Sequence, residues 1–500
     1  MGPEKPCEAP SPRVRDMSRD RSQAGFSRAE LLVVVGITLV AAALRAYRLD
    51  YWPMYGDETL TMVHIEKWDA HISISPLAYL PVAGLVKVLG QAWWVWRLWP
   101  CLVGVASVPL LYVLVRRLSG ATMAAWTAAF LAASPWHIAQ SQTARHYPLQ
   151  MLVGLLAVYA TYRALENDSL AQYALSVFWG LVAVLTRPSS IYLMFIVFAY
   201  CGALWVWPAL RPPTIRWRRV LGLVVGHAAL VVFAYELTKV YGEGTELWGH
   251  SPLHVLLTVA YYSTAPLVCV ALLAAALGLR LKDRPAVLFG LYAFVPVAMV
   301  AATAMFRSAI GVAAFLVLPG MLLLAAWAIE TMRRRSDAPV RWFAALLGTA
   351  VLGGFAARDL EYFTNAHGYR APIRQACAYI RDHRAPGELV GFNTSGLREE
   401  MSSVIGDTAS ISLFSAALDT MPVLPTESRT WFVSEDIYST WDIPDPARQW
   451  LNAHARLMAV IPAYVGPRSH SLWIYLYTPP GLADGAWDNT GRPAGQQLSP

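Results

Sequence analysis

Gly56-Asp57-Glu58 lies in a short segment, 48–71, between two apolar stretches. Glycine lets the backbone turn sharply there, so that a carboxylate can be presented at a membrane surface. A carboxylate at a low-dielectric boundary is suited to take the proton of an acceptor hydroxyl, which makes Asp57 and Glu58 candidate catalytic residues. Two adjacent acids can also be a solvated loop pair, and spacing alone does not separate the readings. A second constellation runs Ser134-Pro135-Trp136-His137 and then Gln140 through Pro148. Within it, Arg145 is the only formal charge between Arg117 and Arg163. A guanidinium in that place could grip a phosphate bidentately, or could anchor a helix at the interface. Arg187, Lys239 and Arg307 are single basic residues at the ends of apolar stretches, and several could converge on one lipid phosphate. Glu236 and Lys239, three apart, are explained by a helix ion pair. His64, His71, His137, His146, His250 and His254 form no H-E-x-x-H motif; no metal ligand is assigned, no cofactor is required, and a divalent cation is left open.

The elements that must hold these residues are membrane spans. Of the 500 residues 56% are hydrophobic and 15% charged, with a mean hydropathy of +0.40; ordinary soluble domains are about 25% charged. This excludes a conventional soluble enzyme and a disordered chain. Five scattered cysteines without a C-x-x-C exclude a disulfide framework and a zinc knuckle. Apolar stretches at 31–44, 98–115, 118–144, 146–162, 169–186, 188–210, 220–235, 247–279, 285–306, 308–329 and 342–357 predict about eleven transmembrane helices. The stretch 72–86, short and with two prolines, reads as interfacial or re-entrant. Trp93, Trp94, Trp96 and Trp99 read as an aromatic belt. Ala41-Ala42-Ala43 could pass for a cleavage site, but the basic leader is long for a signal peptide and the run reads as an uncleaved span. Before the C-terminal region, eleven spans put 20 basic residues on one side and nine on the other, so the basic tail 1–30 is expected in the cytoplasm. The first loop, 48–97, and the C-terminal region are then expected outside.

Residues 31–357 thus form the transmembrane body, and 358–480 differ in kind. They alternate helix-like Ala371–His383, strand Leu389–Phe392, amphipathic Leu397–Ile405, strand Thr430–Ser434, helix Pro446–Ala459 and strand Leu472–Tyr477. That order predicts a small extracytoplasmic α/β domain. The Gly/Pro/Gln-rich tail 481–500 is expected to be disordered.

The run Leu49 to Ala164 resembles the GT-C class of polytopic glycosyltransferases, in the family 39-like branch of protein O-mannosyltransferases and lipid A aminoarabinose transferases. The resemblance rests on the first-loop Gly-Asp-Glu, on Ser75-Pro76-Leu77-Ala78-Tyr79 followed by Arg97-Leu98, and on Tyr112–Arg117. It is most specific at Ala133-Ser134-Pro135 and at Ser141 through Tyr147. It implies a GT-C-type membrane fold, a sugar donor linked to polyprenyl phosphate, and inversion at the anomeric carbon. It further implies Asp57 as base, with Glu58 beside it, and Arg145 next to the active site. Tyr147, Arg187 and Arg307 join Arg145 as expected ligands of the donor phosphate. Ser75-Pro76 stands where the family usually has His-Pro-Pro, and Arg145-His146-Tyr147 where it has Arg-Met-Tyr or Arg-Pro-Tyr. No nucleotide-binding glycine loop is visible, which fits a lipid donor, and no nucleic-acid partner is expected. The partners implied are the lipid bilayer and an acceptor that is a protein, lipid or glycan. A ligase or polymerase of preassembled glycans shares the topology. A lipid-sugar flippase predicts repeats and mid-bilayer charges, neither of which the sequence shows.

Overall fold

Ser27 and Glu30 open the first helix as a capping box: the Glu30 N–H donates to Ser27 Oγ (3.1 Å) and the Ser27 N–H to Glu30 Oε2 (2.8 Å). The computed structural model describes residues 25–240, 251–306, 311–335, 337–392, 410–412, 428–436, 445–466, 468–479 and 482. Helices α1 (Arg28–Ala46), α2 (Asp57–Lys67), α3 (Ala70–Ile74), α4 (Pro76–Leu89) and α5 (Trp93–Ser119) come first. Next are α6 (Ala121–Ala132), α7 (Pro135–Ser141), α8 (Tyr147–Asn167), α9 (Leu170–Thr186), α10 (Ile191–Val206) and α11 (Trp217–Val240). The helical body closes with α12 (Pro252–Ser263), α13 (Ala265–Leu281), α14 (Arg284–Thr303), α15 (Leu318–Arg333) and α16 (Ala338–Phe363).

Helix α15 is apolar on every side, and every residue from Leu318 to Glu330 is buried, as expected of a helix at the centre of a bundle. Gly320 permits the close approach to α14, since a Cβ there would meet the Ala293 nitrogen at 2.5 Å. On α1, by contrast, Leu32 and Leu39 are 73% and 64% exposed. An apolar face of that kind needs a bilayer rather than water to cover it.

Among the described residues, seven helices are long and apolar enough to cross a membrane, or eight if α12 and α13 form one span bent by 105°. Several of the eleven expected spans are therefore not straight helices. The stretch 118–144 breaks after Ala132, because Ser134 caps a new helix that starts at Pro135. The stretch 247–279, in its described part, turns at Thr264, whose φ is 66°. The stretch 72–86 falls in α3 and α4, and α4 is a 14-residue apolar helix.

Past α16 the chain forms α17 (Ile373–His383), α18 (Pro446–His454) and strands β1 (Leu389–Phe392), β2 (Ser410–Ser412), β3 (Thr430–Glu435), β4 (Arg456–Ile461), β5 (Tyr464–Val465), β6 (Arg468–Ser469) and β7 (Leu472–Tyr477). The main sheet has the order β2-β1-β3-β7-β4. β1 runs parallel to β2 and β3, while β7 is antiparallel to β3 and β4. The two-residue period of the strands sorts their side chains between two layers. Trp431, Val433, Leu472, Ile474 and Leu476 join Ile373, Ala376 and Ile380 in one core. Phe432 and Tyr475 meet Leu451 of α18 on the opposite face. The expected helix 446–459 is helical only to His454; from Arg456 the backbone pairs with β7 instead. The expected Leu397–Ile405 stretch, residues 1–24 and all of 481–500 except Leu482 lie outside the described residues.

Candidate active site

Helix α2 starts on Gly56, whose φ of 54° suits glycine, and Asp57 is its first residue. The positive end of the helix dipole favours a carboxylate in that position. The Asp57 side chain is 43% exposed, whereas that of Arg145 is 6% exposed. Arg145 Nη2 lies 3.4 Å from Asp57 Oδ2, and its Nη1 donates to the Asp57 carbonyl (3.2 Å) and to Thr61 Oγ1 (3.3 Å). The candidate base and the candidate phosphate ligand, 88 residues apart, thus form one pair. The guanidinium is fixed by the first turn of α2, so it is oriented in advance.

Glu58 points the other way and is 1% exposed. Its Oε1 accepts from Arg97 Nε (2.8 Å) and from the Ala144 N–H (2.9 Å). Its Oε2 accepts from Arg97 Nη2 (2.9 Å) and from Arg370 Nη2 (2.9 Å). Burial alone would raise its proton affinity; the Arg370 and Arg97 guanidiniums outweigh burial and hold the carboxyl down at about 2. Both oxygens are engaged, so Glu58 can neither take a substrate proton nor share a metal with Asp57. It ties together the first loop, α5, the 142–146 turn and the connector after α16.

Arg97 completes this knot by donating to the carbonyls of Leu49 (2.9 Å), Trp52 (2.8 Å) and Pro53 (3.0 Å). Gln142 donates to the carbonyls of Arg45 (2.9 Å) and Tyr47 (2.6 Å), and its Oε1 accepts from Tyr362 (2.8 Å). Arg45, also fully buried, donates to the Leu131 and Ala132 carbonyls that end α6. A cation at a helix C-terminus is favourable, so this arginine stabilises the break in the 118–144 stretch. The sheet domain reaches the same loop: the Tyr55 hydroxyl donates to Glu435 and sits 2.8 Å from His470 Nδ1.

Tyr147 opens α8 two residues after Arg145, and Arg187 follows the last residue of α9. The ring of Tyr147 is 4.4 Å from that of the buried His146. Arg307 lies outside the described residues. Arg370, Tyr55, Glu435 and His470 escaped the sequence reading, and Arg97 entered it only as a motif residue. Arg97 alone carried a signal, as a charge among tryptophans at the head of an apolar run.

Residues 73–237 match the family described as dolichyl-phosphate-mannose-protein mannosyltransferase. The structure resembles ArnT from Cupriavidus metallidurans bound to undecaprenyl phosphate, with a TM-score of 0.54 and 15% identity over 90% of this chain and 98% of that one. The apo form of the same protein gives a TM-score of 0.52 at 14% identity, covering 89% and 97%. The Archaeoglobus fulgidus oligosaccharyltransferase in its apo form gives 0.52 at 12% identity, covering 75% of this chain and 64% of that one. No curated protein matches the sequence.

Proposed function

Because the chain has the GT-C fold across 90% of its length, we propose that it is a multi-pass membrane glycosyltransferase that moves a sugar from a polyprenyl-phosphate donor to an acceptor. The observation that carries this reading is the pairing of exposed Asp57 with the anchored Arg145. In the proposed reaction the Asp57 carboxylate takes the acceptor proton while the acceptor oxygen attacks the anomeric carbon. The bond from that carbon to the phosphate oxygen breaks, its electron pair leaves with polyprenyl phosphate, and the anomeric centre inverts. Arg145, together with Tyr147 and Arg187, meets the charge that grows on the departing phosphate. Arg307 is kept as a fourth phosphate ligand.

Detergent-purified protein given a short-chain polyprenyl-phosphate monosaccharide is expected to release polyprenyl phosphate. Release only from diphosphate-linked oligosaccharides would point instead to a ligase of preassembled glycans, which the likeness to the archaeal oligosaccharyltransferase supports. The site is proposed to face away from the cytoplasm, on the asymmetry of Lys and Arg. A topology reporter fused after Thr364 should then be active only outside; cytoplasmic activity would reverse the orientation.

Arg145→Lys is expected to lower transfer ~10- to 150-fold, since charge-assisted contacts of this kind contribute about 1.5–3 kcal/mol. Lysine keeps the charge but cannot span Asp57, Thr61 and a phosphate with one fork. Donor titrations separate an effect on affinity from one on turnover. Wild-type kinetics in the lysine variant would leave Arg145 a mere anchor of α2.

A further inference from the structure

Helix α2 ends because Trp68 takes a left-handed conformation, with φ 50°. Asp69 then caps α3, accepting from the His71 N–H at 2.9 Å. This tight reversal lays His71 back over His64, the two rings stacked with centroids 3.9 Å apart and planes 25° from parallel. One carboxylate serves both rings: Asp69 Oδ2 lies 2.6 Å from His64 Nδ1, and Oδ1 lies 3.1 Å from His71 Nδ1. The three ligand atoms lie within 4.8 Å of one another. The side chains of His64, His71 and Asp69 are 14%, 25% and 31% exposed, so the group is sheltered yet reachable from solvent. The ring of Tyr79 stands edge-on to His64 at 5.8 Å and closes one side.

We propose that His64, Asp69 and His71 bind one divalent cation of the zinc class and so clasp the C-terminal end of α2 to α3. Two imidazoles with one carboxylate suit zinc or a similar borderline ion; magnesium and calcium prefer all-oxygen shells. Ligand atoms about 2.0–2.2 Å from a tetrahedral zinc lie ~3.3 Å from each other; the His71–Asp69 pair at 3.1 Å is near that spacing, and the His64–Asp69 pair at 2.6 Å has to open to admit the ion. Three protein ligands leave a fourth position for water or another oxygen ligand. His64 is one helical turn from Thr61, on which Arg145 rests. The clasp would therefore fix the helix that presents Asp57 and holds Arg145. The site stands on its own donor set and does not depend on which reaction the protein catalyses.

The test uses full-length protein in detergent, purified without a polyhistidine tag, stripped with chelator and titrated with Co²⁺ and then Zn²⁺. One equivalent of Co²⁺ with tetrahedral visible absorption, displaced by Zn²⁺, is expected. Asp69→Asn and His71→Ala should each weaken zinc binding at least ~10²-fold, since even an outer partner of a metal ligand contributes ~10–100-fold. Asp69→Asn nearly preserves shape and His71 lies toward the rim, so size-exclusion profiles of both should match the wild type. His383→Ala, in the sheet domain, should leave binding unchanged. Absence of stoichiometric binding in the wild type, or binding that survives both variants, would overturn the proposal. So would binding lost with His383→Ala. None of these readouts involves sugar transfer, so the site can fail while the proposed activity stands, and the reverse.

Discussion

Asp57→Asn should leave the protein folded and lower sugar transfer by ~10²-fold or more, the usual contribution of a positioned base. Asparagine keeps the size of the side chain and can still accept from Arg145, and the Asp57 carbonyl that Arg145 also uses is untouched. What the variant loses is the negative charge proposed to take the acceptor proton. The Arg145 guanidinium, 6% exposed, keeps its bonds to the Asp57 carbonyl and Thr61 Oγ1 in the variant. Donor affinity should change little, which binding of the lipid donor to the variant would show beside the rate of polyprenyl phosphate release. Near-normal turnover would remove Asp57 from the base role. Glu58 could not inherit that role, because both its oxygens are engaged.

The neighbouring substitution should behave in the opposite manner. Glu58→Gln leaves Arg97 and Arg370, 0% and 4% exposed, without their shared carboxylate. Removing one side of a buried pair costs about 3–5 kcal/mol, because the remaining charge stays desolvated and uncompensated. The expected result is a protein that accumulates poorly and unfolds in detergent at a clearly lower temperature than Asp57→Asn. The carboxyl is held at about 2, below its ordinary 4.5. Its contribution is therefore full above pH ~4.5 and fades as pH falls toward 2. A Glu58→Gln protein with wild-type thermal stability but no turnover would return Glu58 to the catalytic pair.

What the sequence made legible follows from the range of each interaction. The Gly56 turn is local chemistry, and the strands Leu389–Phe392 and Leu472–Tyr477 are local alternation, so each is found at its predicted place. The break at Ser134-Pro135 was also written locally, as a cap residue followed by proline, but an uninterrupted apolar run concealed it. The role of Glu58 was not legible, because its partners lie 39 and 312 residues away. Nothing local in the sequence marks Arg97 or Arg370 as buried; only folding shows it. The His64–Asp69–His71 group was hidden for another reason. Its spacings match no single helix, and the left-handed Trp68 that brings the rings together leaves no trace in composition.

The residues on either side of Asp57 bear on how this protein can be inherited. Tyr55 is held by Glu435 and His470, and Glu58 by Arg370, all from the last third of the chain. A recombination event that joined this membrane body to a relative's C-terminal domain just after Phe363 would carry the first loop without its counterparts. The loop and the distant domain are therefore expected to travel, and to diverge, as one hereditary unit. A lineage that exchanges its C-terminal domain would have to rewrite Tyr55 along with it.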